Sequence, residues 1–229
     1  MRKLLSLLPL LALLGGCLDM PQASAPKRQT TRQPLRPAQP GFAPNRQTSA
    51  DARQCLSTLG ATRAAFTPLP DQYFGAGCST VNTVRLASLQ GDHAALALSN
   101  LGPVACPLAS TFAAWARFGV DRAARQILGS ALQRIETMGS YNCRNVAGSS
   151  RRSAHATAGA IDVSAFVLAD GRRISVLGDF NDGSPAEREF LQVVHASACK
   201  RFGTVLGPRY NTAHRDHFHV ELSGSNFCR

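Results

Sequence analysis

Six cysteines are spread over residues 51–229, and they constrain the possible folds more than any other feature of this sequence. In an exported chain, an even number of cysteines indicates disulfide bonds, here three of them. Many pairings are possible, and the sequence does not choose among them. Proximity along the chain favours Cys55–Cys78, Cys106–Cys143 and Cys199–Cys228. Metal binding by the cysteines is the less favoured alternative, because no Cys-x-x-Cys pair is present.

The N-terminus predicts export. Arg2 and Lys3 precede an apolar run that ends at Leu14, and Cys17 follows two glycines. Residues 1–16 therefore have the pattern of a secretory signal peptide, and the apolar run is shorter than the roughly 20 residues that span a bilayer. The four residues ending at Cys17 resemble the bacterial lipobox, which implies lipidation; an ordinary signal with an incidental cysteine is the alternative. We expect a periplasmic protein that a lipid anchor holds to a membrane, with the outer membrane favoured.

Composition separates a tether from a domain. Residues 17–50 are rich in Pro, Gln, Ser, Thr and Arg and have almost no bulky apolar side chains, which predicts a flexible, lipid-anchored tether. Residues 51–229 are long enough for one compact domain. The net charge of +11 first suggests nucleic acid, but the basic residues are scattered arginines rather than a dense patch with interleaved aromatic residues. We expect an anionic wall polymer or membrane as partner, and no nucleic acid.

Strand-like and helix-like patterns are mixed along residues 51–229. Apolar–polar alternation or β-branched runs predict strands at residues 81–89, 94–98, 131–137, 160–168, 173–177 and 217–222. Helices are predicted after Pro107, over residues 121–128, and from a capping box at residues 184–187 to about residue 202. An Asp-Gly pair at residues 170–171 indicates a hairpin. Without a regular βαβ rhythm, we predict a monomeric α+β domain with a mainly antiparallel sheet, flanking helices and disulfide bonds.

Two short segments carry the residues most suited to metal chemistry. His155 and Asp162 lie in the first, and His214, His217 and His219 lie in the second. Zinc prefers imidazole and carboxylate ligands, and a catalytic site uses three of them and keeps one position open. If the strands that carry Asp162 and His219 are neighbours, one zinc ion would lie on the sheet. The alternative is a histidine pair on the surface or in the core that binds no metal.

Both segments resemble known zinc sites. SAHATAGAIDVSAF at 153–166 is similar to the SxHxxGxAxD signature of the D-Ala-D-Ala peptidases, whose superfamily includes lysostaphin-like enzymes and the hedgehog signalling domain. His-x-x-His-x-His at 214–219 is similar to the penicillin-insensitive murein endopeptidases. One departure is Ala158, which replaces the signature's glycine; if the turn needs a positive φ, either Gly159 supplies it one position later or the loop differs from that of the signature. Nearly all of residues 51–229 resembles the bacterial extensin-like C-terminal domain family, with matching motifs CPLA at 106–109, GSYNCR at 139–144, SAHATAGAIDVSAF at 153–166, LGPRYN at 206–211 and HRDHFHVEL at 214–222.

The resemblance implies a division of roles among these residues. His155, Asp162 and His219 would bind one Zn²⁺, and His217 would be catalytic without binding the metal directly. His214 would not bind the metal and would instead orient His217. The D-Ala-D-Ala dipeptidases use a glutamate base near the last histidine, which makes Glu221 a minor candidate for that role.

The other residues of these motifs have two interpretations each. Ser153 would either hydrogen-bond to the site or cap a turn. Arg144 would bind a substrate carboxylate or form a salt bridge, and Tyr141 would contact substrate or pack. The remaining expectations are a solvated turn residue at Asp216, structural roles for His93 and His195, and a core position for Trp115.

The resemblance implies a zinc-dependent amide hydrolase of the cell envelope, a metallopeptidase that cleaves peptidoglycan stem peptides or cross-links as an endopeptidase or carboxypeptidase. The alternative is a non-catalytic, zinc-bearing lipoprotein that binds peptidoglycan, and a third possibility is an envelope assembly factor without metal. An open metal position beside His217 would favour the enzyme, whereas a closed site with four protein ligands would favour the binding module.

Overall fold

The computed structural model describes residues 49–229. The predicted signal peptide, the predicted lipidation site at Cys17 and all but the last two residues of the predicted tether lie outside the described residues. Within residues 49–229, no helix has both the length and the apolar character needed to cross a bilayer. The α-helices of this part are α1 (Ala50–Ala61), α2 (Cys106–Trp115), α3 (Arg122–Leu128), α4 (Val176–Asp182) and α5 (Pro185–Cys199). A π-helical segment, Ala116–Asp121, joins α2 to α3, and 3₁₀ turns occur at Ala154–Thr157 and Thr212–His214.

The strands form a ten-stranded sheet and a separate two-stranded hairpin. Their bounds are β1 (Ala65–Pro68), β2 (Gln72–Gly75), β3 (Cys78–Thr80), β4 (Thr83–Gln90), β5 (Ala95–Ser99), β6 (Val104–Ala105), β7 (Leu132–Gly139), β8 (Ala160–Leu168), β9 (Arg173–Ser175), β10 (Thr204–Leu206), β11 (Phe218–Glu221) and β12 (Phe227–Cys228). The main sheet has the order β1-β4-β5-β7-β8-β11-β10-β12, with β6 beside β4 and β9 beside β8, while β2 and β3 form the hairpin.

The main sheet is mixed, so the prediction of a mainly antiparallel sheet is wrong. β5 pairs with β7 in parallel, and β10 pairs with β12 in parallel. The helices α2 and α3 lie between β5 and β7 and return the chain to the same end of the sheet, which is the long connection that a parallel pair requires. The α+β class, the flanking helices and the disulfide bonds are confirmed.

Local signals in the sequence explain several boundaries. Asp170-Gly171 connects the antiparallel strands β8 and β9, as the hairpin prediction requires. The strand predicted to reach residue 177 stops at Ser175, because the Ser175 hydroxyl accepts a hydrogen bond from the Gly178 N–H and begins α4. The capping box at Ser184 and Glu187 is present and begins α5.

The core lies between the sheet and the helices. Trp115 is completely buried at its centre, as predicted, and its ring contacts Phe112, Phe166 and Phe202. Its indole Nε1–H donates to the Val194 carbonyl oxygen of α5 at 3.2 Å. A buried indole needs such a partner, so this bond fixes where α5 packs on the core.

Two of the three predicted disulfide pairings are wrong. The structure pairs Cys55 with Cys106, Cys78 with Cys143, and Cys199 with Cys228, so only the last agrees with proximity along the chain. The first two bonds join residues that are 51 and 65 positions apart, with Cα atoms 6.1 Å and 5.6 Å apart. Folding brings distant segments together, and the Cα separation in space decides which cysteines can bond.

Replacing both Cys78 and Cys143 with serine is expected to lower the free energy of unfolding by about 4 kcal/mol, because a long loop of the unfolded chain is no longer closed. Denaturant unfolding measures this change. Thiol titration of the same variant tests the pairing: we expect no free thiol among the four remaining cysteines of the domain. If the pairs were instead Cys55–Cys78 and Cys106–Cys143, this variant would leave Cys55 and Cys106 as two free thiols.

Candidate metal centre

Two neighbouring strands and a preceding turn bring three side chains together. Asp162 on β8 and His219 on β11 are direct cross-strand partners in an antiparallel pair. Side chains that are opposite each other on such a pair share one face of the sheet, which explains why these two converge. His155 comes from the 3₁₀ turn that leads into β8.

The turn that carries His155 is held by hydrogen bonds at both ends. The Ser153 hydroxyl accepts from the His155 N–H at 3.4 Å and caps the turn. At the other end Ala158 takes the left-handed conformation, with φ of 54°. The alternative in which Gly159 provides this positive φ is wrong: Ala158, at the signature's glycine position, adopts it despite a cost of roughly 1–2 kcal/mol. Backbone bonds from the Ala158 N–H to His155 O and from the Ala105 N–H to Ala158 O stabilise it.

The polar atoms of the three side chains lie within 4.8 Å of one another. His219 Nδ1 is 2.9 Å from Asp162 Oδ1, and His155 Nε2 is 3.1 Å from Asp162 Oδ2. The two imidazole nitrogens are 3.2 Å apart. All three residues are buried. No other group among the described residues brings histidine and carboxylate ligands together in this way.

The hydrogen-bond partner of the outer nitrogen of each imidazole shows which of the two ring nitrogens keeps the lone pair. His155 Nδ1 lies 3.2 Å from the Ser140 carbonyl oxygen, which can only accept, so Nδ1 carries the hydrogen. His219 Nε2 lies 3.2 Å from a carboxylate oxygen of Glu221, which makes Nε2 the donor there. In the neutral rings, His155 Nε2 and His219 Nδ1 therefore direct lone pairs at each other and at Asp162. Such a cluster needs a cation to stabilise it, either a proton or a metal ion.

The donor set and its spacing fit a metal ion. Two ligand atoms at about 2.0–2.1 Å from a tetrahedral zinc are about 3.3 Å apart. The two imidazole nitrogens are 3.2 Å apart, and each lies 2.9 or 3.1 Å from one of the two Asp162 carboxylate oxygens, which is close to that value. Hydrogen bonds to the outer nitrogens orient both rings, as is usual for histidine ligands.

The hydrogen bonds within the cluster shift the pKa values of Asp162 and His219. Burial alone would raise the pKa of Asp162, but its hydrogen bonds to His155 and His219 hold that pKa well below its usual range. Burial alone would lower the pKa of His219, but the bonds to Asp162 and Glu221 outweigh it and raise the pKa to about 9. Without a metal, a proton therefore occupies the cluster near neutral pH.

His217 lies beside the cluster without belonging to it. Its Nε2 is 3.6 Å from Asp162 Oδ1, too long for a hydrogen bond, and its Nδ1 donates to Asp216 Oδ1 at 2.8 Å. Asp216 lies in a turn with 37% of its side chain exposed, as expected, and in addition its carboxylate orients the His217 ring and directs Nε2 toward the cluster. The adjacency of Asp216 to His217 in the sequence was the only available signal of this contact.

His214 lies farther out, next to His217. Its ring centroid is 5.1 Å from that of His217 and 6.0 Å from that of His219. Its Nδ1 is 2.7 Å from the Asn211 side-chain oxygen. Burial, followed by the nearby His217 and His219, lowers the pKa of His214 to about 4, so this ring is neutral at neutral pH.

A groove of about 670 Å³ leads to the cluster. His214, His217 and His219 form part of its lining, together with Arg144 and Arg151. Neither arginine forms a salt bridge among residues 49–229, while Glu221 also lines the groove and has an electrostatic interaction with Arg151.

The other predicted residues lie outside the cluster. Tyr141 packs on Phe74, with ring centroids 5.4 Å apart, and is not part of the groove lining. His93 is exposed. His195 is buried against Phe218, and with Cys199 and Cys228 it forms a second group of possible metal ligands. The two cysteines of that group are joined in a disulfide bond, which uses their sulfur atoms.

The fold and the cluster define a class of protein: a disulfide-bonded α+β domain in which adjacent strands present histidine and aspartate as candidate metal ligands at an open groove. The sequence identifies the family within that class. Residues 53–229 match the family described as "Extensin-like protein C-terminus", and the chain belongs to it. No curated protein matches the chain, and no solved structure does.

Proposed function

We propose that this chain is a zinc-dependent amide hydrolase of the cell envelope, which cuts stem peptides or cross-links of peptidoglycan. The observation that carries the proposal is the convergence of His155 Nε2, His219 Nδ1 and the Asp162 carboxylate at separations of 2.9–3.2 Å. The relation of the family to the D-Ala-D-Ala peptidases and murein endopeptidases, export to the periplasm and the lipid anchor at Cys17 are parts of the same proposal. The preference for zinc follows from the two imidazoles and one carboxylate.

The chemistry that zinc supplies in such sites is that of a Lewis acid, which polarises a carbonyl and makes water more acidic. His217 is placed to move the proton. With Nδ1–H bonded to Asp216, its Nε2 accepts a proton from the attacking water as the new C–O bond forms. The same nitrogen then gives the proton to the amine nitrogen as the C–N bond breaks. Neutral His214, held by Asn211, contributes a further hydrogen-bonding nitrogen beside His217.

The charge of the groove favours an acidic substrate. Arg144 and Arg151 line the groove and form no salt bridge among residues 49–229, so both guanidinium groups are available to a substrate carboxylate, and their two positive charges exceed the one negative charge of Glu221 in the same lining. Peptidoglycan stem peptides carry free carboxylates, and the net charge of the whole chain, +11, adds long-range attraction for an anionic polymer.

A peptidoglycan-binding lipoprotein that holds zinc without catalysis is the second candidate. It would be favoured by a fourth protein ligand that closes the site. Three observations favour the enzyme instead: the ligand group has three members, His217 Nε2 lies 3.6 Å from the Asp162 carboxylate, and the groove reaches the cluster.

The test is digestion of purified peptidoglycan sacculi by the zinc-loaded chain, with the soluble fragments identified by mass spectrometry. We expect new fragments cut at an amide bond, and their masses would name that bond. The His217→Ala variant is the matched control and should release far fewer. If the wild-type chain sediments with sacculi but releases nothing, the binding module is the better description.

Zinc binding is expected to weaken as the pH falls. The metal-free cluster holds a proton because the pKa of His219 is about 9, and zinc must displace that proton. Between roughly pH 7 and 8.5 the Kd should therefore increase about tenfold for each unit of decrease in pH. Calorimetric titration in two buffers of different ionisation enthalpy would count the released protons, about one per zinc. A Kd that does not change over this range would contradict the proposed protonation of the cluster.

A further inference from the structure

Glu221 occupies a particular position relative to the metal ligands. It is the last residue of β11, two positions after His219, so the two side chains lie on the same face of the strand. Glu221 Oε2 lies 3.2 Å from His219 Nε2, the nitrogen on the side of the ring away from Asp162. The Glu221 carboxylate therefore contacts the side of the His219 ring opposite the candidate metal site, and it is not one of the candidate ligands.

This contact selects one tautomer of His219. A carboxylate accepts hydrogen bonds and does not donate them, so His219 Nε2 must carry a hydrogen and Nδ1 keeps the lone pair. That lone pair is the one directed at Asp162 and His155. Without Glu221 the neutral ring could carry its hydrogen on Nδ1, and in that form it offers no lone pair to a metal.

Glu221 is itself held in place. Its cross-strand partner on β10 is Thr204, whose hydroxyl hydrogen-bonds to it. The Thr204 hydroxyl also contacts the hydroxyls of Ser223 at 2.7 Å and Ser225 at 2.9 Å, and those two are 2.8 Å apart. Only a fifth of the Glu221 side chain is exposed. The carboxylate therefore has one well-defined orientation, as a residue that orients a ligand must have.

We propose that Glu221 is a positioning residue: it fixes the tautomer and the ring orientation of His219 and thereby strengthens zinc binding. The inference rests on the proposed zinc function of the site. A positioning role for Glu221 replaces the role of general base that the resemblance to the dipeptidases implied. The reason is that Glu221 Oε2 contacts His219 Nε2, on the side of the imidazole ring away from Asp162.

The two roles predict different results for Glu221→Gln. A positioning residue predicts a zinc Kd that increases roughly 10- to 100-fold, with most of the rate recovered at saturating zinc. A general base predicts an unchanged Kd and a rate that falls by about 10²–10⁴ at any zinc concentration. Glu221→Ala should weaken zinc binding more than Glu221→Gln, whose amide oxygen still accepts a hydrogen bond. Thr204→Val should weaken it by a smaller factor.

The experiment is a competition titration of the whole chain with zinc and a chromophoric chelator, and Glu189→Gln is the matched control on an exposed face of α5. Circular dichroism of each variant establishes that it folds. If the Glu221 variants match the wild-type Kd to within about twofold, the inference is overturned while the zinc site remains. If the wild-type chain binds no zinc, the proposed function fails and the inference fails with it.

Discussion

A chain that carries Asp162→Asn is expected to lose zinc affinity by a factor of about 10²–10⁴, together with all zinc-dependent hydrolysis. Asp162 supplies the one negative charge of the cluster and lies within 3.1 Å of both ligand imidazole nitrogens. Asparagine has nearly the same shape, so the substitution removes charge and leaves the packing of β8 largely intact. Loss of one partner from a buried charge pair costs roughly 3–5 kcal/mol, which corresponds to this change in Kd.

Competition titration with zinc measures the effect, and bound metal is also counted by elemental analysis of the purified chain. Asp182→Asn is the matched control, because it makes the same chemical change at an exposed residue of α4. This control should bind one zinc ion with the wild-type Kd. A wild-type Kd and stoichiometry in Asp162→Asn would mean that any bound zinc lies elsewhere, and the proposed centre would be wrong.

The second large effect is expected from His217→Ala, which should lower kcat about 10²–10⁴-fold and leave the zinc Kd nearly unchanged. His217 is oriented by Asp216 and lies beside the ligand group without belonging to it. Removing it takes away the group proposed to move the proton, and the candidate ligand atoms remain. Asp216→Asn should lower kcat by a smaller factor, because the imidazole remains but its orientation is less well defined.

Rates on cross-linked muropeptides and zinc titrations of the same samples separate the two properties. His93→Ala is the control, since His93 is exposed and is not among the residues that line the groove. An unchanged kcat in His217→Ala would remove His217 from the mechanism. A lost zinc ion would instead make His217 a ligand and favour the closed site of a binding module.

The elements predicted most accurately are those with strong local signals. The capping box of α5, the Asp-Gly hairpin and the apolar strand β8 were predicted from residues that are close together in the sequence. Helix α1 was missed because only Ala52 and Leu59 of its residues are buried, and so few apolar positions make no helical stripe. The β2–β3 hairpin was missed for a similar reason, since β2 is exposed throughout.

The site shows the same division. Residue type and spacing indicated the two segments that carry the candidate ligands, and the family resemblance implied which three residues they are, but the contacts of Asp216 and Glu221 were not predicted. Asp216 was correctly predicted to lie in a turn, but its contact with His217 was not predicted, and Glu221 was only a minor candidate for a base, because spacing along the sequence does not indicate which ring nitrogen a carboxylate contacts. Tyr141 had two interpretations, contact with substrate or packing, and in the structure its ring packs on Phe74.

The sequence alone determined the membership of the family, the α+β class and the short list of residues able to bind a metal, since these depend on local patterns and on residue chemistry. Tertiary structure decided the parallel pairing of β5 with β7, two of the three disulfide bonds, and the alignment of Asp162 with His219 across β8 and β11. Each of these joins segments that are far apart in the chain. Their contact depends on how the whole core packs, and no local pattern encodes that arrangement.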